Sequence, residues 1–89
     1  MKAKVIKVFG LVQGVGYRAF ISRVAESLKI NGFVRNRQDG SVYIEAEGDD
    51  DEIEQFLIKC NKGPAWSKVI RVEEENTEMK GYSGFQITR

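Results

Sequence analysis

Eighty-nine residues, 42% hydrophobic and 30% charged, read as one soluble domain over residues 1–89, with no apolar run near the roughly 20 residues that cross a bilayer. One cysteine excludes an internal disulfide and suits a reducing cytoplasm, and the lack of histidine removes the commonest general base and metal ligand. The net charge of +1 hides an asymmetry: residues 1–38 hold eight Lys or Arg against Glu26 alone, and residues 39–89 hold six basic and twelve acidic side chains. That split fits an anion site, and it fits equally well strands and helices that pair across the fold.

Residues 4–10, KVIKVFG, are β-branched and aromatic and predict a first strand. The opening MKAKVIKVFG alternates charged and apolar residues, unlike a signal peptide. From Arg18 to Lys29, the residues Phe20, Ile21, Val24, Ala25 and Leu28 fall on one helical face, with Asn31-Gly32 as the expected stop. GFVRNRQ follows as a second strand, Asp39-Gly40 signals a hairpin, and Ser41–Glu47 alternates as a third strand. In that strand Val42, Ile44 and Ala46 form the buried face and Ser41, Tyr43, Glu45 and Glu47 the other.

Gly48 breaks the strand, and residues 49–64 read as a second helix. Asp49 and Glu52 resemble a capping pair, Ile53, Phe56, Leu57 and Cys60 keep helical spacing, and Gly63 with Pro64 ends the run. Ser67–Glu75 predicts a fourth strand with Ile70 and Val72 on one face, and FQITR a short last one. The order is that of an α+β, ferredoxin-like split βαββαβ sandwich: an antiparallel sheet with two helices on one face. Such a fold settles no function by itself.

The chemistry concentrates at GLVQGVGYR, residues 10–18, where the first strand hands over to the first helix. Backbone N–H groups at a helix start lack internal partners and, with the helix dipole, make an anion site. Gly14 and Gly16 let an oxygen approach that row of N–H groups closely. Arg18 opposes the helix dipole, a local misfit expected where function overrides preference. Its guanidinium fork suits a tetrahedral phosphate. The alternative is a tight turn with a surface arginine. GVGYRA also matches the loose dinucleotide fingerprint, but a parallel βαβ sheet of the required size is not predicted here.

"GLVQGVGYRAF" and "GFVRNRQDGSVYIEAEG" resemble the two signature stretches of the acylphosphatases, and "YSGFQI" fits the same family. The resemblance covers nearly the whole chain. It implies a βαββαβ sandwich with a phosphate-binding loop on Gln13, Gly14, Val15, Gly16 and Tyr17, a catalytic arginine at Arg18 and a catalytic asparagine at Asn36. It also implies hydrolysis of acyl phosphates to a carboxylate and inorganic phosphate. A carboxylate leaves without a proton, so neither a general acid nor a metal or other cofactor is expected. Asn36, both donor and acceptor, is suited to hold the attacking water.

The expected ligands are therefore a small acyl phosphate, with phosphate or sulfate competing, and the expected state is a cytoplasmic monomer that binds neither membrane nor nucleic acid. Two other classes stay open on the same fold: a non-catalytic module for a phosphorylated ligand, and an RNA-binding module using an open sheet face. Cys60 reads as a core thiol, Asp49–Glu54 as a solvated helix cap, GYSG at 81–84 as a turn, and Trp66 and Tyr82 as packing residues.

Overall fold

The elements run β1 (Lys2–Leu11), α1 (Tyr17–Ser27), β2 (Asn31–Asn36), β3 (Val42–Gly48), α2 (Asp50–Lys62), β4 (Lys68–Asn76) and β5 (Phe85–Thr88). They come from a computed structural model that describes residues 1–88; Arg89, predicted to close the last strand, lies outside the described residues. The five strands form one sheet in the order β4-β1-β3-β2-β5. Ile6, Val8, Val34, Val42, Ile44 and Ala46 face the helices and pack with Ile21 and Ala25 of α1 and Ile53, Phe56, Leu57 and Cys60 of α2. Fully burying a side chain such as Ile44 contributes about 1.5–3 kcal/mol. Neither helix is long and apolar enough to cross a membrane.

The expected antiparallel sheet is in fact mixed, because β5 runs parallel to β2. β4 ends beside the start of β1, with Lys4 opposite Asn76, and β2 begins at that same end, with Asn31 opposite Glu47. The short connection therefore crosses one end of the sheet and enters the far edge in the direction of β2. Glu47 pins this crossing. Its buried carboxylate accepts hydrogen bonds from the backbone N–H groups of Lys80, Gly81 and Tyr82. The polar face of β3 is thus covered where Glu47 sits.

Three local expectations need correction. α1 ends at Ser27 with Leu28 as its C-cap, and the left-handed residue that follows is Lys29 at φ 56°; Asn31-Gly32, the expected stop, instead opens β2. Lys29 N–H donates to Glu26 and Ile30 N–H to Ala25, the paired bonds of a Schellman turn. In β4, Ile70 does not share the inward face with Val72. Phe9 pairs with Arg71 and Gly10 with Val69, so Ile70 is skipped and the alternation slips by one. Val69 and Val72 pack on the core, and Ile70 is 74% exposed. Gly10 permits the bulge: at φ 132° its Cβ would lie 2.1 Å from the Lys68 carbonyl oxygen. Trp66, expected to pack, is 83% exposed.

Pairing across the fold accounts for part of the charge asymmetry. Lys4 reaches Glu74 at 2.9 Å, Lys2 reaches Glu54 at 3.5 Å, and Lys7 sits opposite Glu73. The arginines at 18, 35 and 37 have no carboxylate within 4.0 Å among the described residues.

Candidate active site

The link from β1 to α1 is held at three points. Val12 is buried in the core at its start. Gln13 turns its side chain away from the loop, and its Nε2 donates to the Arg37 carbonyl at 2.7 Å and the Ser41 carbonyl at 2.9 Å. Tyr17 enters the core as the first residue of α1, and its hydroxyl donates to the Cys60 carbonyl at 2.7 Å. Between these anchors the backbone is free to present its N–H groups. Gly14 and Gly16 take φ of 74° and 79°, left-handed values that other residues rarely adopt. Gly16 is the N-cap and has no side chain to satisfy the helix start; the first helical bond runs from Phe20 N–H to its carbonyl. The N–H groups from Gly14 to Ala19 find no acceptor among the described residues. A Cβ at Gly14 or Gly16 would meet no protein atom within 4 Å, so the face beside these N–H groups is open.

Arg18 stands on the first turn of α1, which carries no acidic residue. Its Nη1 donates to the Thr88 carbonyl of β5 at 3.3 Å. This neutral partner positions the guanidinium without neutralising it. Asn36 comes from the end of β2, two residues beyond the buried Val34 and so on the helix side of the sheet. Its Oδ1 is the one buried side-chain oxygen or nitrogen without a hydrogen-bond partner among the described residues. Leaving such an acceptor unpaired costs about 1–3 kcal/mol, so its position calls for an explanation beyond folding.

Val12, Gly14, Gly16, Tyr17, Arg18, Ala19, Asn36 and Ile87 line one cavity of about 210 Å³. Of the residues singled out in the sequence, Gly14, Gly16, Tyr17, Arg18 and Asn36 come together there. Gln13 and Val15 belong to the loop but not to the lining: Gln13 closes on the β2–β3 hairpin, and Val15 packs against the core. Val12, Ala19 and Ile87 were not foreseen. Ile87 joins because β5 lies beside β2, with Val34 opposite Ile87, a register that no local signal predicts.

The sequence model of the family described as Acylphosphatase matches residues 4–87. The chain belongs to the acylphosphatase family. The acylphosphatase of Thermotoga petrophila is 49% identical over 87 residues, which cover 98% of this chain and 97% of that one. The acylphosphatase of Moorella thermoacetica is 46% identical over 78 residues, covering 88% of this chain and 84% of that one. The crystal structure of the Bacillus subtilis acylphosphatase superposes with a TM-score of 0.97 at 36% identity, covering all of both chains. The chain is thus an enzyme with an acylphosphatase fold.

Side-chain chemistry at this acylphosphatase site is limited. Burial raises the Tyr17 hydroxyl far above its ordinary value, so it stays protonated as a structural donor. Burial also pushes the Cys60 thiol up to about 12, which leaves no thiolate nucleophile at neutral pH. Among the described residues no three His, Cys, Asp or Glu side chains gather to hold a metal ion. What lines the cavity is a fixed cation, a neutral amide and backbone N–H groups. Such a site can bind and orient an oxyanion, and it holds no group that would transfer a proton near neutrality.

Proposed function

We propose that this chain hydrolyses acyl phosphates, with the loop of residues 13–17 and Arg18 holding the phosphoryl group and Asn36 orienting the attacking water. The observation that carries the reading is the buried, unpaired Oδ1 of Asn36 in the same cavity as a row of N–H groups without acceptors. The Asn36 amide, both donor and acceptor, lines the cavity and can engage a water there, while the N–H groups and guanidinium accommodate phosphoryl oxygens.

The water oxygen attacks phosphorus in line with the acyl oxygen. The P–O bond breaks, and its electron pair leaves with the carboxylate. The proton lost by the water passes to a phosphoryl oxygen. Positioning and charge stabilisation are what a loose phosphoryl-transfer transition state asks for, and a carboxylate needs no acid to depart. Gln13 and Val15 serve by shaping the loop and Tyr17 by anchoring it. The site is built from one chain, which supports a monomer as the working unit and residues 1–89 as one domain. The lone buried Cys60 fits a reducing cytoplasm. An RNA-binding role is less well supported. Glu45 lies between Tyr43 and Tyr82 on the open sheet face and takes a 2.6 Å hydrogen bond from each, placing a carboxylate where nucleic-acid phosphates would pass.

The test is turnover of a synthetic acyl phosphate beside an alkyl phosphate, with and without chelator and with added inorganic phosphate. Acyl phosphate hydrolysis that survives chelator, ignores the alkyl ester and is inhibited competitively by phosphate is expected. Equal rates on both esters, or turnover restored only by a metal, would overturn it.

A further inference from the structure

The two helices leave a groove between them to which no strand contributes. Phe20, Val24 and Leu28 stand four residues apart on α1, one stripe of about 12 Å. Each packs on the core with part of its surface, and none of the three is fully buried. They line a groove of about 400 Å³ with Arg23 of α1 and Gln55 and Lys59 of α2. That volume lies in the range of small-molecule sites, roughly 300–1,000 Å³. Arg23 and Lys59 rise from opposite walls and are exposed. Among the described residues they are the only charged groups lining the groove, and neither has a carboxylate within 4.0 Å. Tyr17 bonds to the Cys60 carbonyl, so the start of α1 lies against the end of α2. Lys59 therefore flanks the end of the stripe that holds Phe20 and Arg23, and Leu28 lies at the far end. The groove shares no lining residue with the cavity of Arg18 and Asn36.

We infer that this groove is a second binding site, for amphipathic carboxylates: dissolved molecules with one carboxylate and an unbranched apolar tail. The carboxylate meets Arg23 and Lys59 from two sides, and the tail lies along Phe20, Val24 and Leu28. A guanidinium fork and an ammonium converging from opposite walls suit one small anionic head. The Gln55 amide, one helical turn from Lys59, adds a neutral donor. Covering the apolar stripe removes it from water and supplies the affinity for the tail. The stripe alone would take any tail and the cations alone any anion; together they select an anion that carries a tail. Two cations fall short of the roughly four to eight basic residues that hold a protein on an anionic bilayer, which favours a dissolved molecule. Hydrolysis of an acyl phosphate with an apolar acyl group would release a carboxylate of this class. The groove is read from its own residues, however, and does not depend on that reaction. No bond is made or broken there; the site only binds.

The test is titration of the full chain with hexanoate, octanoate and 1-octanol, followed at the backbone amides by NMR, with inorganic phosphate present to compete at the Arg18 cavity. Octanoate should shift the amides of Phe20, Val24, Leu28 and Lys59. It should bind roughly threefold to tenfold tighter than hexanoate, for two further CH2 groups partly covered. It should bind roughly fivefold tighter than 1-octanol, the scale of contacts to two exposed cations. In the Arg23→Gln, Lys59→Gln double variant that ratio should fall to about one, with 1-octanol affinity and the melting curve as in the native chain. Raising the salt concentration should shrink the native ratio. Shifts confined to residues 13–18, no gain with tail length, or a ratio that survives the double variant would each overturn the site. So would octanoate leaving the groove amides unmoved while phosphatidylglycerol vesicles bind. None of these outcomes touches the hydrolytic reading, which turnover decides separately.

Discussion

The two helices of this fold begin in opposite ways. α2 starts at Asp49 and carries Asp50, Asp51 and Glu52 in its first turn, so its own carboxylates answer the positive end of its dipole. α1 starts at a glycine, has no acid in its first turn, and places Arg18 where a cation is locally unfavourable. Both helices pack on the same face of one sheet, so the difference does not come from the architecture. α2 meets its dipole with its own charges, although the expected Asp49–Glu52 capping pair does not form: Asp49 makes no side-chain capping hydrogen bond. α1 is left open among the described residues, and on the proposed reading an external anion completes it.

The sharpest way to break this contrast is to remove the two side chains that only α1 has beside it. Arg18→Ala should cut kcat/KM by about 10²–10³ or more, as for a lost oxyanion donor, and weaken inhibition by phosphate. Asn36→Ala should cut kcat by a comparable factor while leaving the inhibition constant for phosphate near the native value, because it is proposed to hold the water and not the anion. Neither should lower the melting temperature. Among the described residues Arg18 bonds only to the Thr88 carbonyl, and Asn36→Ala removes an unpaired buried acceptor. Phosphate inhibition, kcat and thermal melts on both variants decide it. A full-rate Asn36→Ala enzyme would end the proposed division of labour.

A smaller change makes α1 resemble α2. Ala19 is exposed at the third position of α1 and lines the cavity. A glutamate there can reach back to the free N–H groups as the acid of a capping box does. Ala19→Glu should raise stability by about 0.3–1 kcal/mol and raise the inhibition constant for phosphate roughly tenfold. Calorimetric melting and phosphate inhibition of the same sample measure both. Higher stability with unchanged phosphate inhibition would mean that the helix start is not where the anion sits.

The sequence made this contrast visible because it is local. Glycines at 14 and 16 beside Arg18, and a run of acids at 49–52, are short-range features, and helical and strand periodicity located most of the elements around them. What stayed hidden depends on pairing over long range. The slip opposite Gly10 that turns Ile70 outward and the parallel seat of β5 that brings Ile87 to the cavity follow from strand register. Gln13 is the instructive case. It lies within the loop motif, yet its amide bonds across 24 and 28 residues to the hairpin, so motif position alone could not say where its side chain goes. The end of α1 escaped notice for another reason: Lys29 adopts the left-handed conformation usually signalled by glycine or asparagine.

The smallest expected effect lies at the other helix and controls for the rest. Asp51 is exposed in the first turn of α2 and forms no ion pair among the described residues. Asp51→Asn keeps the shape and removes one charge from the N-terminal end of the dipole. The expected loss is about 0.3–1 kcal/mol at low ionic strength. In a chain of this size that lowers the melting temperature by roughly 1–8 °C. Near 1 M salt the Debye length falls to about 3 Å, and most of the difference should vanish. Turnover and phosphate inhibition should not change, because these carboxylates serve the helix and not a ligand. The measurement is a pair of melting curves at low and high salt beside one set of kinetic constants. If Asp51→Asn alters phosphate inhibition as much as Ala19→Glu does, the two helix starts are not functionally distinct. The contrast would then reduce to a general effect of net charge on anion binding.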